Sequence, residues 1–199
     1  MSSAPSGAPA AVRVAWLLVL FYGGAFTRAD AGGHPQIDFE PQSAKFAAAT
    51  SEYRWIWLTE GARISAALEQ ATGLRMEPGP IRAIVYEGIS NSGYRDRPMR
   101  MRASYPPDTK RATLVHELAH RLISDLVPQH VEEHPIIFLF VYDVWVQLWG
   151  QAFADAQVVV ESERRGNYDY ETAWREALAL GTEGRAARWK EFLADSRDR

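Results

Sequence analysis

Ten consecutive residues constrain this chain more than any others: Thr113-Leu114-Val115-His116-Glu117-Leu118-Ala119-His120-Arg121-Leu122. On an α-helix, four residues make about 1.1 turns, so His116 and His120 leave one face together. Two imidazoles in that relation can grip one metal ion. Glu117 sits about 100° round the helix from His116. From there it can act on a water molecule beside the metal without taking a coordination place, the arrangement needed for metal-assisted hydrolysis. Leu114, Leu118 and Leu122 form a second stripe on the opposite side, expected to pack on the core while the histidines face a cleft. Nothing from Lys110 to Asp125 breaks a helix, and Asp108, after Pro106-Pro107, is the expected N-cap. The chain has only five histidines. That two of them fall at this spacing on an amphipathic helix argues against a chance pattern.

The same ten residues resemble the active-site helix of the zincin metallopeptidases. In that family a small or β-branched residue stands three before the first histidine, as Thr113 does here. Uncharged residues separate the histidines, as Leu118 and Ala119 do, and a hydrophobic residue follows two after the second, as Leu122 does. Arg121 departs from the pattern, where an uncharged residue is usual. The resemblance implies a bound zinc ion (Zn2+), a peptide or protein substrate, and Glu117 as general base in peptide hydrolysis.

A catalytic zinc usually has three protein ligands. The helix is expected to end near Leu126-Val127-Pro128, and His134-Pro135 then opens an apolar segment, Ile136 to Leu148. A helix there would return antiparallel to the first. Counted from the turn, Asp143 reaches the height of the two histidines at ~1.5 Å per residue. Asp143 is also the only acid between Pro135 and Gly150, and a lone carboxylate in an apolar helix needs a partner. A metal is one such partner, and an arginine or the backbone is another. Asp143 is therefore the expected third ligand, with His134, His130 and Glu133 as alternatives. Glu132 reads as a solvated charge, Gln147 as a possible support for Asp143, and Asp155 and Glu161 as weaker candidates. Zincins of the glutamate type also draw their third ligand from a return helix, although their Asn-Glu pattern is absent here. The metzincin pattern fails, because Leu126 stands where its third histidine would be.

The rest of the chain supplies a frame. Residues 1–33 read as a disordered N-terminus, with an apolar run, Val14 to Tyr22, and a small-x-small pattern, Ala29-Asp30-Ala31. This is a possible signal peptide cleaved after Ala31, which would mean export, or else a buried strand; the run is shorter than the ~20 residues of a stable membrane span. Residues 34–199 read as a single domain. Strands are expected around Ile37-Asp38-Phe39, over Ile81 to Glu87 and over Met99 to Tyr105. A helix is expected over Ser43 to Thr72, with a possible break at Thr59-Glu60-Gly61 and a C-cap at Gly73. Two short amphipathic helices follow, the first capped by Asp169 and the second starting near Thr182. The fold class is α+β: a small zincin-like domain with a short β-sheet, the active-site helix, an antiparallel return helix and C-terminal helices. By analogy, the strand before the metal helix, or its neighbour, is the rail along which a peptide would lie.

Composition removes several classes. A net charge of −3 without basic clusters gives no sign of nucleic acid. The absence of cysteine excludes disulfides, thiol nucleophiles and Cys-ligated zinc. Most of the seven tryptophans are expected in the core, with one or two lining the cleft. Two readings compete with the hydrolase: a catalytically silent zinc-binding scaffold, and a helical interaction protein without metal.

Overall fold

The computed structural model describes Met1 and residues 34–76, 79–94, 96–128, 130–164 and 168–197. The chain divides into two units, Met1–Ala31 and Gly32–Arg199. The expected disordered N-terminus, apolar run and cleavage point lie outside the described residues. Every element named below belongs to the second unit.

Three strands, β1 (Gln36–Pro41), β2 (Pro80–Tyr86) and β3 (Met99–Arg102), form a parallel sheet in the order β1-β2-β3. Ile37 stands opposite Ile81, and Ala83 opposite Met99. Side chains alternate across the sheet. Ile81, Ala83 and Val85 are buried on β2, as are Met99 and Met101 on β3, while Arg82, Arg100 and Arg102 reach towards solvent. Parallel neighbours need a crossover, and between β1 and β2 it is α1 (Ala47–Thr72). This helix runs unbroken through the expected break at Gly61. The glycine instead makes room for the Trp57 indole, which lies 2.8 Å from where a Cβ would stand. Gly73, with φ of 71°, ends the helix in the left-handed conformation, its N–H donating to the Glu69 carbonyl.

The outer edge of β3 is already occupied. Asn91 exchanges two backbone hydrogen bonds with Arg100, at 2.9 and 3.0 Å, in an antiparallel bridge. The Arg102 N–H donates to Ser90 Oγ at 3.1 Å, and its carbonyl accepts from the Tyr53 hydroxyl at 2.9 Å. β3 is therefore not an open rail; the segment 89–92 lies along it.

The helix that carries His116 and His120 is α2 (Pro107–Ile123). It starts two residues earlier than expected. Pro106 caps it, Pro107 takes the first turn, where a missing N–H costs nothing, and Asp108 pairs with Arg111 at 2.9 Å. Leu114 and Leu118 are fully buried, but His116, Glu117 and His120 are buried too. The helix is covered on both sides rather than half exposed.

The expected return helix is two helices, α3 (His134–Ile137) and α4 (Val141–Trp149). In one continuous helix, residues 138 and 140 would point about 200° apart. Both rings are buried: Phe138 stacks on Trp174 with centroids 3.7 Å apart, and Phe140 meets Trp189 at 4.9 Å. The chain leaves helical geometry between α3 and α4. Then come α5 (Gln151–Ser162), α6 (Tyr170–Ala179) and α7 (Gly181–Arg197). Asp169 caps α6 as expected, accepting from the Thr172 N–H at 3.0 Å. The described elements are thus helices plus one small sheet, α+β in outline. No helix among the described residues is long and apolar enough to cross a membrane.

Candidate metal centre

α2 sets His116 and His120 one turn apart, with their Nε2 atoms 3.2 Å from each other. The first residue of α3 brings His134 against both, at ring-centroid distances of 5.3 and 4.8 Å. The three histidines offer ligand atoms that all lie within 4.8 Å of one another, close enough to bind one metal ion.

Each of the three has a carboxylate at Nδ1. His116 Nδ1 lies 2.9 Å from Glu161 Oε1, off the line of an ideal hydrogen bond. His120 Nδ1 lies 2.5 Å from Glu133 Oε2, and His134 Nδ1 pairs with Glu132. Metal-ligating histidines commonly carry such partners, which fix the ring and leave the other nitrogen as the lone-pair donor. With both Nδ1 atoms facing carboxylates, the Nε2 atoms of neutral His116 and His120 would meet lone pair to lone pair. That contact is repulsive unless a proton or a cation lies between them, so the donor set fits a metal ion.

The electrostatics favour the neutral ring at two of the three histidines. Burial pushes the His116 ring down to about 4. Burial, with the charges of His116 and His120, does the same for His134. Both are therefore neutral near pH 7, the state that binds a metal. Burial also pulls His120 down, but the Glu133 hydrogen bond and the Glu117 carboxylate outweigh it and leave the ring raised. Burial opposes ionisation of Glu161, yet Arg164 and His116 overcome it and hold the carboxyl down at about 2. Glu161 Oε1 lies 3.1 Å from Arg164, and Oε2 accepts from Trp174 Nε1 at 3.1 Å.

Glu117 is only 3% exposed, and its carboxyl has no hydrogen-bond partner among the described residues. Burial raises it to about 7. It lines a cleft of about 800 Å³ together with the three histidines, Tyr105, Arg164 and Tyr170. The histidines therefore face an opening, as the helix pattern predicts. Tyr168 stacks on the His134 ring at 4.6 Å, and the Tyr170 hydroxyl lies 3.0 Å from His134 Nε2. No tryptophan lines this cleft among the described residues; tyrosines do.

Asp143 lies elsewhere, which corrects the expected third ligand. Its two oxygens are bound by Arg185 of α7 at 2.7 and 2.8 Å, with Thr182 at 3.3 Å. The partner demanded by a lone acid in an apolar helix is an arginine. Gln147 bonds to Gln70 of α1, and Asp155 accepts from Tyr142. His130 is exposed and outside the histidine group. Glu133, a candidate ligand, stands behind His120 instead. Glu161 and Arg164 are the residues the sequence underrates. A pair of opposite charges one turn apart near the end of α5 is their only signal.

No family model matches the chain, and no curated protein or solved structure matches it.

Proposed function

We propose that the protein is a zinc-dependent hydrolase that cleaves peptide bonds, with His116, His120 and His134 as metal ligands and Glu117 as general base. One observation carries this reading. Two nitrogen ligands about 2.0–2.1 Å from a tetrahedral zinc stand about 3.3 Å apart, and the two Nε2 atoms of α2 lie 3.2 Å apart with Glu117 between them in sequence, at the same cleft. The likeness of Thr113 to Leu122 to the zincin helix supports the same reading.

A zinc ion held there supplies Lewis acidity, which polarises a carbonyl and makes water acidic near neutral pH. The protein's own groups do the rest. Glu117, with a carboxyl raised to about 7, is matched to taking a proton from the attacking water and passing it to the leaving amine. The Tyr170 hydroxyl beside His134 can donate to the oxyanion that develops on the carbonyl. Segment 89–92, on the outside of β3, replaces β3 as the surface along which a peptide lies.

Glu117→Gln tests the assignment. The variant should keep its zinc, measured by elemental analysis, and lose about 10²–10⁴-fold in hydrolysis of a peptide mixture. Full activity in the variant removes Glu117 from the mechanism. Zinc binding without turnover by the unaltered protein favours the scaffold reading.

A further inference from the structure

Three carboxylates stand behind the three histidine rings, and they are not alike. The Glu161 side chain is 2% exposed, against 30% for Glu133 and 49% for Glu132. Water can make good a poor contact at the two open acids, but not at Glu161. What holds Glu161 must therefore come from the protein. Its Oε1 lies 2.9 Å from His116 Nδ1 and 3.1 Å from Arg164 Nη2, neither in line for a hydrogen bond. Arg164 balances the charge without fixing the angle. The aligned bond is on the other oxygen, where Trp174 Nε1 donates to Oε2 at 3.1 Å.

The same indole reaches the histidines a second way. It is 1% exposed and stacks on the Phe138 ring, with centroids 3.7 Å apart and planes 13° from parallel. Phe138 in turn lies edge-on to His116 at 6.1 Å and tilted against His134 at 5.7 Å. Through this one side chain, α6 bears on a ring carried by α2 and on a ring carried by α3.

We infer that Trp174 is a positioning residue of the metal site: its N–H sets the angle of the Glu161 carboxylate, and that carboxylate aims His116 Nε2 at the ion. Without the N–H, a buried oxygen loses its aligned donor, and the carboxylate is free to turn between His116 and Arg164. The inference rests on the metal half of the reading above and not on the reaction.

Zinc affinity, measured by competition with a chromophoric chelator, tests it without any turnover. Trp174→Phe keeps a ring against Phe138 and removes the donor. It should weaken zinc binding about tenfold, the lower end of what losing such a support costs. In a protein that already carries Glu161→Gln, the same change should cost little more, because Trp174 acts through Glu161. The control is Trp189→Phe. Trp189 is also buried, donates to the Thr72 carbonyl at 2.9 Å and meets the Phe140 ring. Its replacement should lower the melting temperature and leave zinc affinity unchanged. A further measurement needs no variant. In the proton–nitrogen correlation spectrum of the unaltered protein, the Trp174 indole signal should shift on addition of zinc, and that of Trp189 should not. Parental affinity in Trp174→Phe, an equal loss in Trp189→Phe, losses that add to that of Glu161→Gln, or an unmoved Trp174 signal each overturn the inference and leave the hydrolase reading standing. A parent protein that binds no zinc overturns both.

Discussion

Replacing Glu117 by Gln should stabilise the metal-free protein at pH 8 and leave it unchanged near pH 4.5. Glu117 is 3% exposed and its carboxyl has no hydrogen-bond partner among the described residues. Burial raises that carboxyl from 4.5 to about 7. The folded protein therefore keeps the proton up to about pH 7, whereas the unfolded chain releases it at its ordinary value. Stability is full below 4.5 and is lost as the pH climbs from 4.5 through 7. The loss is on the order of 3 kcal/mol above pH 7. Gln has nearly the same shape and never ionises, so it escapes the loss. For a domain of this size that difference is about 6–12 °C in Tm. Thermal melts followed by circular dichroism, in chelator, from pH 4.5 to 8.5, measure it for both proteins. A constant offset between the two curves, or a more stable parent at pH 8, would show that the carboxylate is solvated or paired. The account of Glu117 as a base tuned by burial would then fail.

Other outcomes follow from the candidate metal centre. Zinc at ~1,000 times its Kd should stabilise the protein by about 4 kcal/mol, or roughly 8–16 °C. His134→Ala should remove more than half of that shift, while Asp143→Asn should leave it intact even though Arg185 loses its partner. The reverse pattern would return the third ligand to α4. Glu161→Gln should weaken zinc binding about 10–100-fold in competition with a chromophoric chelator. An unchanged affinity would make Glu161 a structural partner of Arg164 alone.

What can be read from the chain follows the range of the physics involved. His116, Glu117 and His120 are legible because their geometry is set by one helical turn. The strand alternation at Met99 to Arg102 and the cap at Gly73 are local in the same way. Asp143 misleads because matching heights presuppose one continuous return helix. Two aromatic rings that must both be buried break that helix between Ile137 and Val141. His134 begins α3, where its neighbour Pro135 favours a first turn, yet its seat against the other two rings depends on α6 covering it. Glu161 is the least legible. It reaches His116 only because α5 packs on α2, a contact that no pattern within α5 announces.

The carboxylates behind the three rings come from the stretch before α3 and from the end of α5, well after α2 in the chain. During synthesis, the first pair of imidazoles leaves the ribosome long before the third ring and its supports. A cation met at that stage finds a weak, two-pronged hold. Firm capture of an ion by all three rings would wait until α3 and α5 have closed over α2, which would make it a concluding event of folding rather than its seed.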